Sequence, residues 1–201
     1  MKRIGIFGGT FDPPHLGHLK CANAAREELG LTQVLFIPNR LPAYKLREHS
    51  VSEVQDRLHM LSLLVKDCNW AQISDIELRR EGNTYTSDTL RELHILYPED
   101  ELVLIIGSDS LCSLKFWHEP EVVSSLSTIA VLKRDTDTSE NIIKAKEELE
   151  EDFGARIILI NNMLFELSST QIREAVKRRE KLPEGIPEEI IQYIEKRNLY
   201  I

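Results

Sequence analysis

Short apolar runs alternate with amphipathic stretches along almost the whole chain, and each kind has the length of one element. The runs at 3–7, 34–38, 71–76, 102–107, 128–132 and 156–160 read as strands. Several are apolar at nearly every position, the pattern of strands covered on both faces. Between them lie stretches of helical character over 16–29, 53–65, 87–96, 120–125, 140–153, 170–179 and 187–197. Gly30 closes the first of these, Ser52 with Gln55 offers a capping box to the second, and Pro187 stands at the first helical position of the last. Strands and helices in alternation predict βα units feeding a parallel sheet. The expectation is an α/β fold, a three-layer α/β/α single domain over residues 1–201, with no internal repeat and no linker long enough to divide it.

Composition then narrows the function. A chain of 201 residues, 42% hydrophobic and 29% charged, can bury one sizeable core. Its formal net charge of −8 and the lack of a long basic run exclude a general nucleic-acid binder, so a small anionic ligand would need a locally positive site. The opening MKRIGIFGG reads as a first strand and not as a signal peptide. No stretch approaches the roughly 20 apolar residues that span a bilayer, and a cytoplasmic protein with no membrane partner is expected. Cys21, Cys68 and Cys112 are far apart, odd in number and without metal-ligand spacing, which suits small buried residues in a reducing compartment.

The most informative segment runs from Gly5 to His18, GIFGGTFDPPHLGH. It puts a flexible turn after the first strand and opens a helix, where open α/β sheets bind ligands. Gly8 and Gly9 remove side chains that would keep phosphate oxygens from backbone N–H groups, and the helix start favours negative charge. The segment is neither a Walker P-loop nor a G-x-G-x-x-G fingerprint, and glycines alone leave a plain tight turn as the alternative. His15 and His18, three apart at a helix start, can point together toward whatever occupies the turn. Zinc is the weaker fit, because no third ligand lies nearby and neither H-E-x-x-H nor cysteine support is present.

These residues resemble the nucleotidylyltransferase superfamily marked by His/Thr-x-Gly-His, here His15-Leu16-Gly17-His18 behind Gly8-Gly9-Thr10-Phe11-Asp12-Pro13. A second hallmark, Ser-Ser-Thr-x-Ile-Arg, is matched by Ser168-Ser169-Thr170-Gln171-Ile172-Arg173. Within the superfamily the chain is similar to the bacterial nicotinate mononucleotide adenylyltransferases from Met1 to Tyr200. Supporting segments are Glu81–Thr89, Ile106-Gly107-Ser108-Asp109 and Phe116-Trp117. Two departures stand out: Pro42-Ala43-Tyr44-Lys45 where the family carries Pro-Pro-His-Lys, and Gly107-Ser108-Asp109 where it carries Gly-Ala-Asp. Lys45 keeps its place.

The resemblance implies a Rossmann-like, doubly wound sheet and a reaction of ATP with nicotinate mononucleotide to give nicotinate adenine dinucleotide and pyrophosphate. It implies direct in-line attack by the acceptor phosphate, already an anionic nucleophile, on the α-phosphorus, so the protein supplies positioning and charge stabilisation. His18 is then a donor to the α-phosphate region and His15 a partner holding the ATP phosphates. Thr10 can donate through its hydroxyl, and Lys45 and Arg173 offset charge as pyrophosphate leaves. Gly8, Gly9, Phe11, Gly107, Ser168, Ser169 and Thr170 complete the expected ATP site, with Asp109 on a ribose hydroxyl. Mg²⁺ is expected to accompany ATP on phosphate oxygens and water, with no dedicated carboxylate cage. For the acceptor, Trp117 is expected to stack on the pyridinium ring, and the Thr84-Tyr85-Thr86 turn to meet the nicotinate carboxylate. Two alternatives remain: pantetheine-phosphate adenylyltransferase, disfavoured by the Thr84–Thr86 and Trp117 segments, and a non-catalytic nucleotide sensor, disfavoured by the intact charged set. A homo-oligomer is left open.

Overall fold

The computed structural model describes residues 1–40, 51–133, 139–160 and 167–201. Six strands, β1 (Arg3–Gly9), β2 (Gln33–Pro38), β3 (Ala71–Ile73), β4 (Glu101–Gly107), β5 (Thr128–Leu132) and β6 (Arg156–Ile160), form one sheet in the order β3-β2-β1-β4-β5-β6. Every pairing is parallel. The order reverses between β1 and β4, which creates the crevice where doubly wound sheets bind ligands.

Strict alternation sorts the strand residues onto two faces. Ile4, Ile6, Leu35, Ile37, Leu102, Leu104, Ile106, Ile129 and Val131 join one apolar cluster. It is completed by residues of α3 (Thr86–Leu96), α4 (Ser108–Ser113), α5 (Pro120–Leu126) and α6 (Ser139–Phe153). Val34, Phe36, Val103, Ile105, Ala130 and Leu132 point the other way. They pack with residues of α1 (Leu16–Leu29), α2 (Val54–Val65) and α8 (Glu188–Arg197), and α7 (Ser169–Arg178) adds Val176 at the margin. The sheet is therefore covered on both faces, as the uninterrupted apolar runs required. No helix among the described residues is long and apolar enough to cross a membrane.

Several local expectations are corrected. Strand β1 continues through Gly8 and Gly9, which pair with Ile37 and Pro38, so the turn begins only at Thr10. Its left-handed residue is Phe11 (φ 51), and neither glycine has positive φ. Strand β3 stops at Ile73, because Asp75 opens a hydrogen-bonded turn to Leu78. Helix α2 is capped from Glu53 without a side-chain bond. Ser52 is engaged elsewhere: its N–H donates to Asp12 and its carbonyl accepts from Arg57. Pro187 is the N-cap of α8 and not its first helical residue. Helix α4 and the 3-10 turn Leu114–Phe116 were not anticipated in a segment rich in Ser, with Asp and Cys. None of the three cysteines is buried: Cys21 and Cys68 are half-exposed, Cys112 is exposed, and none is in a disulfide.

Candidate active site

The loop that leaves β1 carries the expected residues and folds back on itself. Gly9 has no room for a side chain, since a Cβ there would lie 3.0 Å from the Phe11 ring, whereas at Gly8 the nearest atom would be 4.0 Å away. Gly8 thus has open space around it, while Gly9 is required by packing against Phe11. The Phe11 ring is buried, edge-on to His18 at 5.2 Å between centroids and tilted against Phe36 at 5.9 Å. Phe11 can therefore offer a nucleotide only its backbone.

His15 is the N-cap of α1 and His18 its third residue, so one helical turn stacks the two rings with centroids 3.8 Å apart. The His15 N–H donates to Nδ1 of His18 at 3.1 Å. That bond assigns the proton of a neutral His18 ring to Nε2, the nitrogen turned away from the backbone. His15 is 5% exposed, and burial lowers its pKa to about 4, which keeps the ring neutral at physiological pH and gives it one N–H to offer. Among the described residues its Nδ1 has no hydrogen-bond partner.

The second motif fastens onto this loop across more than 150 residues of chain. Ser168 caps α7, with its Oγ accepting from the Gln171 N–H at 3.2 Å and its own N–H donating to Gln171 at 2.8 Å. Ser169 Oγ donates to the Pro13 carbonyl at 2.9 Å. Arg173 donates to the Asp12 carbonyl at 2.8 Å and to Thr170 Oγ1 at 3.1 Å. Arg173 is half-buried against the histidine loop.

Arg57 is a component that sequence reasoning missed. It is 1% exposed and donates to four carbonyls: Thr10 and Asn39 at 2.9 Å, Arg40 and Ser52 at 3.1 Å. These belong to the segments that follow β1, follow β2 and precede α2. One cation thus ties the phosphate loop to the chain leading toward Lys45. Lys45 itself, with Ala43 and Tyr44, lies outside the described residues. No signal in the sequence separates Arg57 from the other charged residues of an amphipathic helix.

Across the crevice, β4 ends at Gly107, where a Cβ would lie 2.7 Å from Asp109 Oδ1. The glycine lets the exposed Asp109 carboxylate fold back over the strand end in the first turn of α4. Trp117 follows the 3-10 turn, half-buried against the core, with Nε1 donating to Ser113 Oγ at 3.3 Å. Tyr85, the N-cap of α3, stacks on His118 at 4.2 Å between centroids. This contact brings the Thr84-Tyr85-Thr86 turn to the Trp117 segment, and Arg91 reinforces it with two bonds to Glu119 at 2.6 and 2.8 Å. Below the turn, buried Thr89 donates to Glu77 at 2.9 Å and accepts from Arg80 at 2.8 Å. Burial pushes the Glu77 carboxyl up, and hydrogen bonds from Thr89 and Thr84 oppose the shift.

No group of three or more His, Cys, Asp or Glu suited to a metal ion occurs among the described residues. Around the loop the donors are imidazole, hydroxyl, guanidinium and backbone N–H, a set that suits phosphate oxygens.

Comparison with known proteins agrees with the fold. Residues 6–175 match the cytidylyltransferase-like family. A protein of Lachnoclostridium phytofermentans named "Probable nicotinate-nucleotide adenylyltransferase" is 39% identical over 201 residues, covering 100% of both chains. One of the same name from Desulfitobacterium hafniense is 42% identical over 204 residues, covering 99% of this chain and 96% of its own. In structure, Plasmodium falciparum nicotinic acid mononucleotide adenylyltransferase complexed with NaAD superimposes with a TM-score of 0.80 at 22% identity, covering 100% of this chain and 98% of that one. With the six-stranded doubly wound sheet and both loop motifs joined at its switch point, the chain belongs to the cytidylyltransferase-like family, in the group of nicotinate-nucleotide adenylyltransferases.

Proposed function

We propose that the crevice between β1 and β4 catalyses adenylyl transfer from ATP to nicotinate mononucleotide, yielding nicotinate adenine dinucleotide and pyrophosphate. The observation that carries this reading is the His15–His18 stack at the switch point, with the His18 proton on Nε2, in a chain whose full-length relatives bear that activity's name. The acceptor phosphate attacks the α-phosphorus in line, so no general base is needed. His18 Nε2–H donates to the α-phosphate, where charge grows in the transition state. His15 contributes one N–H to the phosphate chain, with Thr10, the Gly8 backbone, Thr170 and Arg173 beside it. Asp109 accepts from a ribose hydroxyl over Gly107. Lys45 takes the charge-offsetting role that the family resemblance implies. Mg²⁺ brought with ATP would supply further charge neutralisation to the phosphates that Thr10, Thr170 and Arg173 contact from the protein side.

The acceptor ring lies on Trp117, and its carboxylate meets the backbone N–H groups at the Thr86 start of α3, where the helix dipole favours negative charge. A carboxamide would turn its own N–H₂ toward donors, a repulsive mismatch. With ATP and Mg²⁺ supplied, pyrophosphate release measured side by side with nicotinate mononucleotide, nicotinamide mononucleotide and phosphopantetheine tests the reading. The expected preference for the first acceptor over the second is on the order of 10⁴ in kcat/KM. Equal values would mean a dual-specificity enzyme, phosphopantetheine turnover would mean the other adenylyltransferase, and ATP binding without turnover would mean a sensor.

A further inference from the structure

The Asp12 carboxylate sits inside the histidine loop, 4% exposed, and both its oxygens are occupied. Oδ2 accepts the Ser52 N–H at 3.2 Å, and Oδ1 accepts the hydroxyl of Tyr200 at 2.6 Å. Tyr200 comes from 188 residues away, beyond α8. The chain turns back there through two left-handed residues, Asn198 (φ 51) and Tyr200 itself (φ 67). A bulky side chain seldom takes that conformation unless its contacts hold it there. The short O–H···O⁻ bond is of the charge-assisted kind. Burial and the Asp12 charge both raise the phenol's pKa, so it remains a donor.

Asp12 precedes Pro13, whose carbonyl accepts from Ser169, and its own carbonyl accepts from Arg173. The same residue therefore receives α7 on its backbone and Tyr200 on its side chain, three positions before His15. We propose that Tyr200 is a positioning residue for adenylyl transfer: its hydroxyl fixes the Asp12 carboxylate and so holds the Phe11–Pro14 bend that sets His15 and His18 against the phosphates. The proposal rests on the phosphate-binding reading of those histidines.

The protein supplies its own control. Tyr193 on α8 donates to Asp56 Oδ1 at 2.7 Å, where Arg197 also bonds at 3.1 Å. This is the same bond type, from the same end of the chain to another buried carboxylate, but one carried by α2 and not by the histidine loop. Tyr200→Phe and Tyr193→Phe each delete one hydroxyl, and thermal midpoints with steady-state kinetics at a temperature well below both midpoints compare them. The expected result is a similar drop in midpoint for the two. Tyr200→Phe alone lowers kcat, by on the order of tenfold, with KM for both substrates changed much less. Adding Asp12→Asn to Tyr200→Phe then lowers kcat little further, because the two residues act through one bond. An unchanged kcat in Tyr200→Phe, or an equal fall in Tyr193→Phe, would overturn the proposal and leave Tyr200 a docking contact. His18→Ala, run in parallel, separates the two levels. Normal turnover there would overturn both the phosphate reading and this proposal, whereas an impaired His18→Ala beside an unimpaired Tyr200→Phe would overturn only the latter.

Discussion

The loop after β1 and the surface around Trp117 both follow strands of the same sheet, yet they are held in opposite ways. The loop is fixed from within: Phe11 at 2% exposure and His15 at 5% are buried, and Thr10 and Asp12 accept hydrogen bonds from Arg57 of α2, itself 1% exposed, from Arg173 of α7 and from Tyr200 beyond α8. Near Trp117 the contacts lie at the surface, in the stack of Tyr85, 37% exposed, on His118 and in the Arg91–Glu119 ion pair. Donors that stabilise developing charge act most strongly when they are fixed before the reaction begins. Groups that recognise a ring and a carboxylate can settle as the ligand arrives. In this account the rigid side serves the transferring phosphoryl group and the adjustable side serves the acceptor.

The contrast breaks most visibly at the two arginines. Arg57→Met would leave four part-buried carbonyls without this donor, and groups left unsatisfied away from water cost about 1–3 kcal/mol each. Urea denaturation should show the protein severely destabilised, with a loss of at least about 3 kcal/mol. Arg91→Met removes an exposed pair of little net worth, and its midpoint should stay close to that of the unaltered protein. Comparable losses in the two variants would erase the distinction.

A smaller effect is expected at the ATP side of the crevice. In the proposed site Asp109→Ala removes a ribose contact made in both ground and transition states, so KM for ATP should rise about tenfold with kcat little changed. The fold should not suffer, since the carboxylate is exposed over Gly107. A fall in kcat at constant KM would reassign Asp109 to the chemical step.

The smallest effect concerns pH and stability. His15 titrates near 6.5 when unfolded and near 4 when folded, because burial disfavours its cation. Between these values the unfolded chain binds the extra proton, so stability is lost as pH falls, by up to about 1.4 kcal/mol per pH unit. The depressed pKa favours the folded state above pH 6.5, and that contribution disappears toward pH 4. Urea midpoints measured from pH 7 to pH 4 should therefore decline more steeply in the unaltered protein than in His15→Gln. Parallel curves would mean that His15 is not buried as a neutral ring.

Much of the architecture was legible because the strongest signals were local. Helix α1 begins and ends where its apolar spacing and Gly30 indicate, with Gly30 at φ 62 and its N–H on the Arg26 carbonyl. β5 and β6 match their apolar runs residue for residue. Helix α4 was missed because Ser108, Asp109, Ser110, Cys112 and Ser113 are weak helix formers; it forms where the chain leaves β4 and buries Leu111. Ser52 and Gln55 had the spacing of a capping box, but Asp12 and Arg57 claimed the Ser52 backbone. The histidines could be read from their spacing and the Ser168–Arg173 motif from the family resemblance, and their union at Pro13 and Asp12 could not. Arg57 and Tyr200 were invisible for the same reason, since their partners lie 5 to 47 and 188 residues away in the chain.

The central claim, that the buried loop stabilises the transferring phosphoryl group through His18, is tested most directly by His18→Ala. Its kcat with ATP and nicotinate mononucleotide should fall by on the order of 10²–10³, as loss of one transition-state donor does, while thermal denaturation shows a folded protein. A folded variant that keeps nearly the original kcat would contradict the account.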